Sequence, residues 1–334
     1  MMKIISDYKN IDLNNLESFV YNHPSGNFFQ STHYFNFIKS LPPYQPILIV
    51  FQDDNESIKG SLIAVIQKEK GIIKSKLSSR CIVIGGPIAE NDNEDVLDCL
   101  LKELIKKVEN KAIYIEIRNL SNQTKNKKVF LKNGFNYREH FNFIVKIKNV
   151  EENFKNLNEN RKRQIKKAIK NNVEISIPKD KNEVKEFYVI LKKLYKEKVK
   201  KPLPNFNFFE KFFFSNNLGK YFLVKNNGNI IGGIMCPIFK DTIYEWYVCG
   251  LDKEYKDLSP SVMATWAAIE YGARNGLSYF DFMGAGSPDS DYGVREFKSK
   301  FGGELVNYGR FLRINNPLLY QIGKMGLKML NVLK

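Results

Sequence analysis

Apolar and polar positions along this 334-residue chain follow strand and helix periods in a repeated order. ILIVFQ from Ile47 and SIKGSLIAVIQK from Ser57 are β-branched apolar runs separated by the polar turn DDNE, which predicts a hairpin. YFLVK from Tyr221 and IIGGIMCPIF from Ile230 flank NNGN, a second hairpin with an Asn-Gly turn. A further apolar strand follows each, RCIVIGGPI in the first half and TIYEWYVCGL in the second. Helices come next. EDVLDCLLKELIKKVEN carries the helical period, and Ser259-Pro260 reads as an N-cap and first-turn pair. Behind that cap Val262, Trp266, Ile269 and Ala273 line one face, and Gly276 stops the helix.

AIYIEIRN from Ala112 and LSYFDFMG from Leu277 then read as strands, followed by KVFLKNGFNY and REFKSKFGGE. The two series align at a spacing of about 165 residues, the mark of an internal duplication. The shared order is helix, hairpin, strand, helix, strand, helix, strand. It predicts an α/β fold of mixed sheets with helices on their faces. The domain boundaries are expected at 1–150 and 151–315, with residues 316–334 as a C-terminal amphipathic helix. Residues Asn182 to Asn216 stand outside the repeat and read as helices, with Val184, Phe187, Leu191, Leu194 and Tyr195 at helical spacing.

Composition changes the picture in one respect. The hydrophobic fraction of 43% and charged fraction of 26% are ordinary, but a net charge of +16 favours anionic partners. From Glu151 to Lys201 there are 16 Lys/Arg against 8 Asp/Glu, so about half of the excess lies in one segment. Cys81, Cys99, Cys236 and Cys249 stand apart in apolar runs and are expected to be reduced. MMKIISDYKN lacks an apolar h-region and a cleavage site, and no apolar run is long enough to span a bilayer. A cytoplasmic monomer is the expectation. The basic C-terminal helix NPLLYQIGKMGLKMLNVLK could touch a membrane surface or pack on the body of the protein.

Chemistry can be sought in four places. NENRKRQIKKAIKNNVE should be helical, and Arg161, Arg163 and Lys167 could grip phosphate or form a solvated face. In TIYEWYVCG, strand alternation puts Glu245 and Tyr247 on one face, as an acid/base pair or a satisfied hydrogen-bonding pair. Asp281 ends the strand FDF before MGAGSP, and a carboxylate followed by Gly284 at a strand end suits a ligand pocket or a turn cap. Lys298 and Lys300 follow, two apart, so one of them should enter that pocket and could stabilise an oxyanion. His23, His33 and His140 are scattered without metal-ligand spacing, so no metal site is expected. No GxSxG or GxxxxGK[ST] motif is present.

The repeated order resembles the GNAT acetyltransferase fold in two tandem copies. PSGNFFQSTHYFNFIKS, NENRKRQIKKAIKNNVE and SPSVMATWAAIEYGARNGLSYFDFMG with GVREFKSKFGGE narrow the resemblance to Fem-type (FemABX) aminoacyltransferases. Those enzymes transfer an amino acid from aminoacyl-tRNA to a peptidoglycan precursor. The resemblance implies an amide-forming transferase that needs no cofactor, with aminoacyl-tRNA as donor and a diphosphate-linked cell-wall precursor as acceptor. It implies that Lys39 and the Arg161/Arg163 region hold the acceptor's anionic groups, with Lys298 beside the reacting carbonyl or the donor's terminal nucleotide. Two departures stand out. The acidic residue expected late in YIEIRN is replaced, since Glu116 comes earlier and Arg118 and Asn119 hold the later positions. The long coiled-coil arm of some members has no counterpart. Acyl-CoA or an acyl carrier is the alternative donor, on a sugar nucleotide or amino acid. The loop DKEYKDLSPSVMA, however, contains no glycine and begins acidic, and GGPIAENDNED in the first half has Gly85 and Gly86 but no basic residue. Neither suits a pyrophosphate held by backbone N–H groups. A non-catalytic tRNA- or nucleotide-binding protein is a third possibility.

Overall fold

A computed structural model of the chain describes residues 3–68, 71, 77–289 and 293–332. Residues 290–292, between the motifs LSYFDFMG and GVREFKSKFGGE, and 333–334, the last two of the expected C-terminal helix segment 316–334, lie outside that description. The chain divides into two compact units: Met1–His140 together with Asn307–Lys334, and Phe141–Val306.

The first unit begins with β1 (Lys3–Ile5), α1 (Leu13–Asn22), α2 (Thr32–Lys39), β2 (Tyr44–Gln52) and β3 (Ile58–Gln67). It continues with β4 (Arg80–Ile84), β5 (Ile88–Ala89), α3 (Glu94–Val108), β6 (Tyr114–Arg118), α4 (Lys127–Lys132) and β7 (Asn136–Arg138). The second unit opens with β8 (Phe141–Lys146), α5 (Val150–Asn156), α6 (Glu159–Lys170), β9 (Val173–Ser176), α7 (Lys181–Leu194) and α8 (Phe206–Phe214). There follow β10 (Gly219–Asn226), β11 (Asn229–Phe239), β12 (Thr242–Tyr244), β13 (Tyr247–Gly250), α9 (Pro260–Arg274), β14 (Tyr279–Asp281), α10 (Gly293–Ser299) and β15 (Glu304–Asn307). The chain then re-enters the first unit as β16 (Arg310–Ile314) and α11 (Pro317–Val332).

Each unit has a mixed sheet. The first runs β1-β2-β3-β4-β6-β16-β7 with β5 on β3, and the second β15-β8-β14-β12-β11-β10-β9 with β13 on β11. In each, the strand after the hairpin lies parallel to the strand after the long helix, β4 with β6 and β12 with β14. The duplication is therefore visible as equivalent pairings. The hairpins form as their turns dictate: Asn227 and Gly228 both take positive φ between β10 and β11.

The division departs from the boundaries expected at 150 and 315. β8 precedes residue 150 yet pairs with β14 in the second unit, and β16 pairs with β6 and β7 in the first. Each sheet thus takes one strand from the other half of the sequence. The reason is side-chain pattern. Phe143 and Val145 fill the second core, while Phe311 is fully buried in the first and stacks on Phe130 at 4.0 Å. The C-terminal helix likewise belongs to the first unit, where the Tyr320 ring meets Tyr114 edge-on at 5.6 Å.

The cores follow the predicted faces. Leu97, Leu100, Leu101, Leu104 and Val108 of α3 are buried against the first sheet, and Val262, Met263, Trp266 and Ile269 of α9 against the second. α7 lies outside the repeat and buries Val184, Phe187, Ile190 and Leu191, each contributing about 1.5–3 kcal/mol by removal from water. Cys81, Cys236 and Cys249 are buried free thiols, and burial alone pushes Cys81 up to about 12. None of these is a poised nucleophile.

Candidate active site

The second unit gathers charged side chains where β12 and β14 part. β11 pairs Ile238 with Ile243 and, three residues back, Met235 with Tyr247, four residues on. One extra residue therefore bulges out of the strand at Glu245-Trp246. The Glu245 amide donates to the Asp281 carbonyl at 2.8 Å, while the Trp246 amide donates to Met235 at 3.2 Å. β11 stays paired on both sides of the bulge while β14 pairs only before it, and the extra residue overturns simple alternation. Glu245 turns its carboxylate into the unit; Tyr247 lies instead with Trp246, Phe208, Phe209 and Tyr195 in an aromatic cluster. Glu245 and Tyr247 do not share a face.

Glu245 is 4% exposed and receives the Lys298 ammonium at 2.9 Å. Lys298 comes from α10 and is 8% exposed; it also donates to the Phe282 carbonyl at 2.6 Å and the Gly284 carbonyl at 3.0 Å. Three acceptors meet three N–H protons, so the charge is held at the end of β14. The Thr265 hydroxyl of α9 reaches the other Glu245 oxygen at 3.3 Å. Burial raises the Glu245 pKa, and the Lys298 charge opposes that rise. Lys300 points elsewhere and pairs with Glu296 at 2.6 Å, so Lys298 is the lysine that enters.

Asp281, 4% exposed, stands beside this pair. Its Oδ1 accepts from Asn142 Nδ2 at 2.7 Å and from the Met283 amide at 2.6 Å. No partner of Oδ2 is found among the described residues. Burial drives its pKa up from 3.8, the Asn142 and Met283 bonds restrain it, and it stands at about 6. Asn142, on β8, also accepts the Gly284 amide on Oδ1 at 2.7 Å. The MGAG loop needs this support, since Met283 and Gly284 have φ of 59° and 130°. Arg295 clamps the far side of the loop by donating to Ala285 at 3.0 Å and to the carbonyl of Ser287.

Other sequence candidates fall outside this cluster. Arg161 is buried rather than offered to phosphate. Its guanidinium lies over the Phe297 ring at 4.4 Å, donates to the Phe297 carbonyl at 3.2 Å and to Gln164 at 2.6 Å. Arg163 is exposed and bonds Asn160; Lys167 is exposed and pairs with Asp257 at 2.7 Å. In the first unit Lys39 lies 3.9 Å over the Tyr8 ring. There Arg118 bonds Glu116 at 2.7 Å while Arg310 reaches the other oxygen at 3.1 Å. Burial alone would raise Glu116, but these two guanidinium groups outweigh it and hold it at about 2. Among the described residues no group of His, Cys, Asp and Glu could hold a metal ion.

The sequence reading missed Asn142, Thr265, Arg295 and Asp252. Asp252 caps α9: one oxygen accepts the Ser261 amide at 3.1 Å and the other its hydroxyl at 2.5 Å. Ser259, expected to cap, has a left-handed backbone at φ 45° and makes no side-chain cap bond. The helix N-terminus facing this loop thus already holds a carboxylate, and Pro260 presents no N–H.

Residues 155–299 match the family model described as an acetyltransferase (GNAT) domain, which lies within the second unit. The chain is an acyltransferase of GNAT fold. Among solved structures it is similar to FemX, with a TM-score of 0.73 and 17% identity over 96% of this chain and 99% of that one. It is also similar to a tandem GNAT protein from the clavulanic acid biosynthesis pathway, with a TM-score of 0.57 and 10% identity over 95% and 99% of the two chains. L-PGS from Bacillus licheniformis is similar at a TM-score of 0.56 and 13% identity over 94% and 96%. At these identities the likeness is one of fold. A search of curated protein sequences finds no match. The fold expected from the sequence, two tandem GNAT-like domains, is the fold observed.

Proposed function

We propose that this acyltransferase forms an amide on an amine of a cell-wall precursor of the peptidoglycan type, with aminoacyl-tRNA as donor. The observation that carries the donor is the α9 N-terminus. GNAT enzymes that use coenzyme A present free backbone N–H groups to its pyrophosphate at a helix N-terminus. Here Asp252 takes the Ser261 N–H, and its negative charge opposes a second anion. The full-length likeness in fold to FemX supports the same reading, as does a net charge of +16, which suits a polyanionic donor.

In this reading a neutral acceptor amine attacks the ester carbonyl of the donor. The C–N bond forms, the carbonyl oxygen becomes an oxyanion, and the C–O bond to the terminal ribose then breaks. Lys298 supplies positive charge at the end of β14, where exchanging its long bond to Gly284 for the oxyanion would stabilise the intermediate. Asp281, at about 6, is ionised at neutral pH and can take the proton the amine loses. That proton then passes to the leaving ribose oxygen, and no covalent enzyme intermediate is needed. Exposed cations such as Arg163 and Lys167, with Lys39 in the first unit, are assigned to anionic groups of donor and acceptor.

The GNAT domain match favours one alternative, a thioester donor. Parallel turnover assays with charged tRNA plus a uridine-diphosphate muropeptide, and with acetyl-CoA on the same acceptor, separate the two. Amide formation from charged tRNA alone is expected. Turnover from acetyl-CoA with none from charged tRNA would overturn the proposal.

A further inference from the structure

The C-terminal helix α11 carries an apolar stripe on its outer side. Its inner side is fixed to the first unit: the Tyr320 ring packs on Tyr114, and a Cβ at Gly323 would lie 3.3 Å from the Leu77 carbonyl. About 200° around the helix from these contacts lie Leu318, Ile322 and Met325, which are 68%, 40% and 58% exposed. They are spaced by four and three residues, so they form one continuous ridge. The sequence keeps that spacing with Met329 and Val332.

Charge decides what such a ridge meets. From Arg310 to Lys334 the sequence has five Lys/Arg and no Asp or Glu. Lys324, about 100° around the helix from Met325, is exposed. Within α11 itself the charged residues are two lysines, Lys324 and Lys328. An apolar ridge on a helix with cations and no acids complements a surface that is apolar inside and anionic outside. At 16 residues the helix is about 24 Å long, and no helix among the described residues is long and apolar enough to cross a membrane. It is therefore suited to lie along a bilayer rather than through it.

We infer that α11 docks the protein on an anionic lipid surface, with Leu318, Ile322 and Met325 entering the headgroup boundary and Lys324 meeting the lipid charge. The inference does not depend on the donor or the acceptor. Sedimentation of the full chain with phosphatidylcholine vesicles, with and without phosphatidylglycerol, tests it without substrate. Binding only to the anionic vesicles, weakened by high salt, is expected. Leu318→Ser with Ile322→Ser and Met325→Ser should lower the partition by about tenfold or more. Lys324→Glu with Lys328→Glu, which leaves the ridge intact, should abolish the preference for phosphatidylglycerol. Unchanged thermal melts show that the variants are folded. Failure of the native chain to bind anionic vesicles, or equal binding by the triple Ser variant, would sink the inference. So would a dimer in lipid-free buffer that the triple variant converts to monomer, which would assign the ridge to a second copy of this chain.

Discussion

Lys298 and Glu245 form a buried ion pair whose two partners depend on each other unequally. Replacing Lys298 by Met strips Glu245 of its counter-charge in a site where water cannot substitute. The expected cost is about 3–5 kcal/mol, most of it the penalty of a stranded carboxylate. Adding Glu245→Gln removes that charge, so the double variant should recover most of the stability in urea unfolding. Turnover should stay lost in both, because recovered stability does not restore the ammonium at the end of β14. A double variant that regains turnover would leave Lys298 with a structural role only. Asp281 gives a second expectation, from its pKa of about 6 against 3.8 in an unfolded chain. The folded state binds this proton more tightly, so the group's contribution is complete below about pH 3.8 and is lost as pH rises through 6. The change is about 3 kcal/mol at most. Activity should run the opposite way, rising through pH 6 as the base ionises. Asp281→Asn should flatten that limb of the rate profile and lower the rate by about a hundredfold or more. Glu245, Asp281 and Lys298 were legible as chemistry because charged residues beside a glycine loop are unusual in apolar strands. Asn142 was not: it lies 139 residues from Asp281 in sequence, and an Asn in FNFIVK carries no local mark.

Strands and helices were read correctly as kinds, and the errors fell where a single residue changes an element's geometry. Alternation through TIYEWYVCG assumes one uninterrupted strand, so the bulge at Glu245-Trp246 moved Tyr247 to the aromatic cluster. Only the register with β11 on both sides of the bulge, three residues of β11 against four of its partner, fixes where the extra residue sits. The cap of α9 shows the same limit. Ser259-Pro260 is a sound local signal, but the turn Leu251–Leu258 delivers Ser259 in the left-handed region, where its hydroxyl bonds the Lys256 carbonyl at 3.4 Å. Asp252, nine residues before Ser261, reaches across that turn. Asp252→Ala should therefore cost about 0.5–2 kcal/mol, while Ser259→Ala should be nearly neutral in the same denaturant titration. The reverse order would return the cap to Ser259. If the Asp252 charge also keeps a pyrophosphate away, Asp252→Ala should bind coenzyme A more tightly than the native chain does, read by calorimetry.

The duplication was legible in the chain, but its boundaries were not. β8 and β16 have equivalent patterns, an apolar alternation that would suit either sheet, so sequence order alone assigns each to the wrong half. What decides is which core each strand completes. β8 supplies Phe143 and Val145 between β14 and β15, and β16 supplies Phe311 between β6 and β7. A fragment cut at the boundaries read from sequence, residues 151–315, would lack β8. It would expose the β14 edge and carry β16 with no sheet to join, and an unpaired apolar strand invites aggregation. It would also lose Asn142 and with it the support of Asp281 and the MGAG loop. A fragment of residues 141–306 holds every strand of the second sheet in one continuous stretch, short only of the last residue of β15. Expressed side by side, 141–306 should be monomeric by gel filtration with one cooperative thermal transition, and 151–315 should aggregate or melt without cooperativity. Equal behaviour would mean that β8 is dispensable to the second unit. Appending only residues 141–150 to the failing fragment should restore the transition, because the missing strand, and not the surplus one, opens the sheet.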